Sequence, residues 1–210
     1  MIHTIKNYAS LILILLMAGL TACDSSPQLT PLSNNAVILA FGDSLTYGTG
    51  TDKQLAYPAH LQKLLSKTVI NAGVPGEVSK TGLNRLGSLL KRHRPELLIL
   101  CHGGNDMLRH YNLKQTKDNL QKMINLAKAS NTQVVLIGVP QFGVYLSSAD
   151  FYQKLADSNQ IPLENTALSD ILADARLKSD QIHPNAEGYA LFAKKIHLIL
   201  QQTGAISSTI

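Results

Sequence analysis

Ser44 follows an apolar run in Gly42-Asp43-Ser44-Leu45, and Asp180 and His183 stand three residues apart just before the last amphipathic stretch of the chain. A serine placed where a strand turns into a helix presents its Oγ in the open, with its own N–H directed at the same point, as an acyl-transfer nucleophile requires. A carboxylate and an imidazole at that spacing face the same way in one turn. The Asp then fixes the ring tautomer while the other nitrogen points to Ser44. Each group also has a duller use, since Ser or Asp caps many helices.

Two further loops hold residue types suited to stabilising negative charge. In Asn71-Ala72-Gly73-Val74-Pro75-Gly76-Glu77, Gly76 lacks the Cβ that would keep a substrate oxygen away from backbone N–H groups. In Gly103-Gly104-Asn105-Asp106, Asn105 can donate a side-chain N–H without titrating. Asp106 is expected to cap a helix or tie loops together.

Positioning these loops falls to apolar runs that alternate with amphipathic stretches. Val37 to Phe41, Val69-Ile70, Leu97 to Leu100 and Val134 to Val139 read as short buried strands, with a weaker one at Ile161 to Leu163. Tyr57 to Lys67, Thr81 to His93, Thr116 to Ala129 and Ala186 to Gln202 carry apolar residues at helical spacing. Such alternation predicts a parallel sheet covered on both faces, a flavodoxin-like three-layer α/β/α sandwich. In that architecture the chemistry belongs to loops at the carboxyl ends of the strands, where all four loops fall.

These four blocks, in this order and with these separations, resemble the GDSL or SGNH family of serine hydrolases across essentially the whole stretch from Val37 to the final helix. The resemblance implies the SGNH hydrolase fold over residues 36–210 and ester hydrolysis through an acyl-enzyme without metal or organic cofactor. It implies Ser44 as nucleophile and His183 as general base oriented by Asp180. The oxyanion hole would be formed by the Ser44 N–H, Gly76 and Asn105. Asn71 to Ser79, Leu97 to Asp106 and Val139-Pro140-Gln141-Phe142-Gly143 look most like the periplasmic thioesterase, lysophospholipase and arylesterase group of that family. Val74-Pro75 and Gln141-Phe142 depart from the pairs usual there, in loops that shape the acyl pocket. The same family includes O-acetyl esterases acting on cell-envelope glycans, and a non-catalytic binding lipoprotein on the same scaffold is the alternative from another class.

Among other candidates, Cys101 ends an apolar run and reads as a small buried hydrophobe. His102 is the one rival base, but no carboxylate stands at a spacing that would orient it, so packing or a supporting role is expected. His60, His93, His110 and His197 fall on helical polar faces, where solvation is expected, and His3 lies in the leader. No His, Asp or Glu pattern matches a metal site. Nineteen Lys and Arg against 14 Asp and Glu leave a formal +5 across 210 residues, scattered rather than gathered, which excludes a nucleic-acid-binding stripe. The expected partners are a small ester or lipid substrate and a membrane.

That membrane is implied by the amino terminus. Lys6 precedes a short uncharged apolar segment ending in Leu20-Thr21-Ala22-Cys23, which resembles a bacterial lipoprotein signal over residues 1–22. Cys23 would be diacylated and become the first mature residue. Residues 23–35, rich in Ser, Pro and Asn, are expected to be a lipid-anchored linker. Location in the bacterial cell envelope follows, on the periplasmic side, and Asp24 resembles an inner-membrane retention signal.

Overall fold

The computed structural model describes residues 27–141 and 146–207. The leader with His3, Cys23 and Asp24 lies outside them, as do Phe142 and Gly143. Five parallel strands form the central sheet: β1 (Val37–Gly42), β2 (Thr68–Gly73), β3 (Leu97–Cys101), β4 (Gln133–Ile137) and β7 (Leu163–Glu164), in the order β2-β1-β3-β4-β7. Between β4 and β7, β5 (Pro140–Gln141) and β6 (Ser147–Ser148) make a separate antiparallel pair. The four stronger expected strands are present within a residue or two at their amino ends and up to three at their carboxyl ends. The weaker one is shifted toward its carboxyl end.

The helices are α1 (Ser44–Tyr47), α2 (Tyr57–Leu65), α3 (Ser79–His93), α4 (Gly104–Leu108), α5 (Leu113–Ala129), α6 (Asp150–Asn159), α7 (Ala167–Ala173) and α8 (Ala186–Gln202). The chain packs α2 and α7 against α8, and packs α3 and α6 against α5, which gives the outer layers of the sandwich. Every residue of β3 is buried and β1 is buried beyond Val37, as the uninterrupted apolar runs require of strands covered on both faces. α2 stops at Leu65, where Ser66 takes a left-handed conformation, two residues short of expectation. α6 and α7 were not legible in the sequence. Seven to ten residues are marginal as an isolated helix, so contacts of Tyr152, Leu155, Leu168 and Ile171 with the core decide them.

The stretch expected to be free linker as far as Asn35 is different. Leu32 is buried in the core, and the Leu29 N–H and Leu32 N–H donate to the carbonyls of Thr203 and Ala205 at 2.7 and 2.8 Å. From Leu29 onward the segment is a strap docked on the domain. Its Ser and Asn content hid two apolar residues that pay their ordering entropy by burial.

Candidate active site

Ser44 is the first residue of α1, directly after Asp43, whose Oδ1 accepts from the Leu45 N–H at 3.0 Å and caps the helix. The strand-to-helix turn is tight because β1 ends on Gly42. A Cβ there would sit 2.1 Å from the Cys101 carbonyl oxygen. As the first helical residue, Ser44 has an N–H with no partner one turn back, and none among the described residues accepts it.

His183 reaches this serine from the loop before α8. Asp180 Oδ1 accepts the Ile182 and His183 N–H groups at 2.8 and 2.9 Å, which folds the four-residue turn. The other carboxylate oxygen lies 2.8 Å from His183 Nδ1, and His183 Nε2 lies 3.0 Å from Ser44 Oγ. The carboxylate fixes the proton on Nδ1 and leaves the Nε2 lone pair for the serine hydroxyl. Burial pushes the Asp180 carboxyl up, but the hydrogen bonds from the His183 ring and the two N–H groups outweigh it. Its pKa is held below the ordinary value.

Asn105, in the first turn of α4, points its amide into the same region. Its Nδ2 donates to Asp43 Oδ2 and to the Glu77 carbonyl oxygen, both at 3.1 Å. This ties the three loops together, and it means that both amide hydrogens are engaged in the resting protein. Burial raises the Asp43 pKa despite His102, the Leu45 N–H, His183 and Asn105, each of which lowers it. Gly76 does not line the cleft at Ser44. It holds φ +73°, a left-handed conformation favouring glycine, and its carbonyl accepts from Arg109 Nη2 at 3.0 Å. The cleft is lined by Ser44, Asn105 and His183 with apolar Leu45, Leu108, Val139, Pro140, Leu172 and Ile182.

Two residues of supporting structure, Glu77 and Arg85, were missed by sequence reasoning. Glu77 is buried, with Arg85 Nη2 at 2.6 Å and Arg85 Nε at 2.7 Å from its carboxylate. Arg85 also donates to the carbonyls of Gly42 and Ala72 at 3.2 and 2.8 Å and lies over the Phe41 ring. His102 Nε2 is 3.2 Å from Glu77 Oε2, so His102 takes the supporting role expected of it, through a carboxylate that its sequence neighbourhood did not reveal. That partner is 25 residues away in sequence. Because His102 Nδ1 accepts from the Gly103 N–H at 3.0 Å, the ring proton sits on Nε2. Burial raises the Glu77 pKa, but the His102 and Arg85 hydrogen bonds prevail and leave it below the ordinary value. Asp106 ties elements together as expected, accepting from the Ser79 N–H and hydroxyl at 2.8 and 2.6 Å. Cys101 is fully buried. His60 is half-buried rather than freely solvated: its Nε2 is buried without a hydrogen-bond partner among the described residues, and burial lowers its pKa.

The model of the GDSL-like Lipase/Acylhydrolase family matches residues 40–191, which include every one of these groups. The chain belongs to this family. It is a GDSL hydrolase acting on ester bonds. It is 34% identical over 164 residues to the Escherichia coli K12 protein named thioesterase 1/protease 1/lysophospholipase L1, covering 74% of this chain and 79% of that one. It is 33% identical over 168 residues to an arylesterase of Vibrio mimicus, covering 75% and 84%. A crystal structure of TesA superposes with a TM-score of 0.72 at 26% identity, over 80% of this chain and 99% of the other. The expected SGNH hydrolase fold and serine esterase class are thereby confirmed.

Proposed function

We propose that this GDSL hydrolase cleaves the carboxylic ester bonds of aryl esters and lysophospholipids and the thioester bonds of acyl thioesters, using Ser44, His183 and Asp180 as its catalytic residues. The observation that carries the proposal is the chain of two short contacts, Asp180 Oδ2 to His183 Nδ1 at 2.8 Å and His183 Nε2 to Ser44 Oγ at 3.0 Å. Ser44 Oγ attacks the carbonyl carbon as its proton passes to His183 Nε2, and the collapsing intermediate expels the leaving group, which takes that proton. Water then attacks the acyl-enzyme by the same route and regenerates the serine.

The oxyanion receives the Ser44 N–H and the Asn105 amide. Asn105 donates to it only by sharing a hydrogen now held by Asp43 or the Glu77 carbonyl. Leu45, Leu108, Val139, Leu172 and Ile182 in the cleft favour an acyl or aryl group larger than acetyl over a glycan O-acetyl group. The test is labelling of Ser44 by a fluorophosphonate, together with turnover of p-nitrophenyl esters of rising acyl length, a lysophospholipid and an acyl-CoA. Absence of label sinks the catalytic assignment, and release of acetate alone sinks the substrate class.

The same reading extends to location. Lys6, the apolar leader and Leu20-Thr21-Ala22-Cys23 support export to the bacterial cell envelope and diacylation of Cys23, and Asp24 supports the periplasmic face of the inner membrane. Cys23→Ser should release the protein from membranes. Wild-type protein wholly in the soluble fraction, with no acyl mass on its N-terminal peptide, would defeat this part alone.

A further inference from the structure

The strap and the catalytic loops lie at opposite ends of the sheet. Thr30 exchanges hydrogen bonds with the Gln133 side chain, from its N–H at 2.6 Å and to its carbonyl at 3.0 Å. The Ser33 N–H donates to Glu96 at 2.9 Å, and Lys67 Nζ donates to the Ser33 carbonyl at 2.6 Å. Gln133 opens β4, Glu96 immediately precedes β3 and Lys67 immediately precedes β2, so the strap crosses the amino ends of three strands. Ser44, Gly76 and Asn105 all follow carboxyl ends.

Helix α8 measures the separation. His183 stands just ahead of its cap Asn185, and Leu29 bonds to Thr203 just past its last residue. Its 17 residues span about 25 Å at ~1.5 Å each. In a mature chain that begins at Cys23, only Cys23 to Gln28 precede Leu29, the first docked residue. Fully extended, those six residues reach about 21 Å, short of the length of α8. A leash of that length cannot carry the catalytic mouth round to face the surface where the leash is fixed.

We propose that the anchored enzyme works with its mouth turned away from the bilayer that holds Cys23, and that its substrates are acyl esters arriving through water rather than esters of the anchoring leaflet. This rests on the reading of Cys23 as lipidated. The docked strap, which a free linker to Asn35 would not provide, is what shortens the leash.

The test uses the full lipidated protein in vesicles, with acylation first confirmed by the mass of the N-terminal peptide. Two forms of one fluorogenic aryl ester are supplied, one free in solution and one carried at headgroup level on a dialkyl lipid in the same vesicles. Wild type is compared with a variant carrying 30 Gly/Ser residues between Ser26 and Pro27, whose added span of about 30 Å exceeds the length of α8. Both should hydrolyse the free ester at the same rate. On the bilayer-held ester the lengthened variant should be at least ten-fold faster. Equal rates there, both fast or both slow, overturn the proposal with the anchor intact. Absence of acyl mass overturns it together with the anchored reading.

Discussion

Two histidine–carboxylate pairs stand at the carboxyl ends of the strands, and they do opposite things. His183 and Asp180 are three residues apart, with side chains 12% and 52% exposed, and the free ring nitrogen is turned to Ser44. His102 and Glu77 come from separate loops, are 0% and 3% exposed, and have both ring nitrogens occupied, one by Glu77 and the other by the Gly103 N–H. The first pair leaves a basic nitrogen beside a hydroxyl, so it can move a proton. The second has no free position, so it can only hold its neighbours in place. What separates a base from a brace is which nitrogen remains unpaired, and burial decides that.

The largest effect expected from this contrast is on turnover. Ser44→Ala and His183→Ala should each lower kcat by at least about 10³, measured with a p-nitrophenyl ester. His102→Gln retaining the larger share of activity would complete the contrast, and the reverse ranking would exchange the two roles. Asn105→Ala should lower kcat by roughly 10²–10³ with KM nearly unchanged. An effect confined to KM would make it a substrate-binding residue.

Stability should sort the pairs the other way. Glu77→Ala leaves Arg85 and His102 without their carboxylate, and should cost about 3 kcal/mol in urea unfolding because a buried charge loses its partner. The acid limb sharpens this. Since folding lowers the Glu77 pKa, its ionised form binds better in the native state; the stability it adds above the ordinary carboxylate range is lost as pH falls through its folded value. Asp43 is shifted upward and contributes with the opposite sign. The readout is therefore the difference between proteins: urea midpoints should fall more steeply from pH 5 to pH 3 in wild type than in Glu77→Gln, and parallel curves would remove Glu77 from the account. The smallest effect belongs to Asp180→Ala, which should change stability by less than about 1 kcal/mol because its pair is solvent-screened, while kcat falls. A large loss of stability there would make the exposed pair structural.

The blocks that hold Ser44, Asn105, Asp180 and His183 were legible because each is local. Asp180 and His183 share one turn, Ser44 follows its strand directly, and Asn105 stands four residues beyond Cys101, so spacing alone carries their placement. The strands were legible because β1 and β3 are covered on both faces and must be apolar throughout, and α8 because Phe192, Ile196 and Leu200 repeat at helical spacing. The short helices α6 and α7, the Glu77–His102 contact and the docking of Leu29 and Leu32 were not. Each depends on a partner far along the chain, and the free energy of a long-range contact has no periodic trace in either segment. The amino-acid order by itself therefore determined the sheet and the groups that meet at Ser44. Only the tertiary structure decided which histidine is left with a nitrogen free, and how far from that nitrogen the amino terminus is tied down.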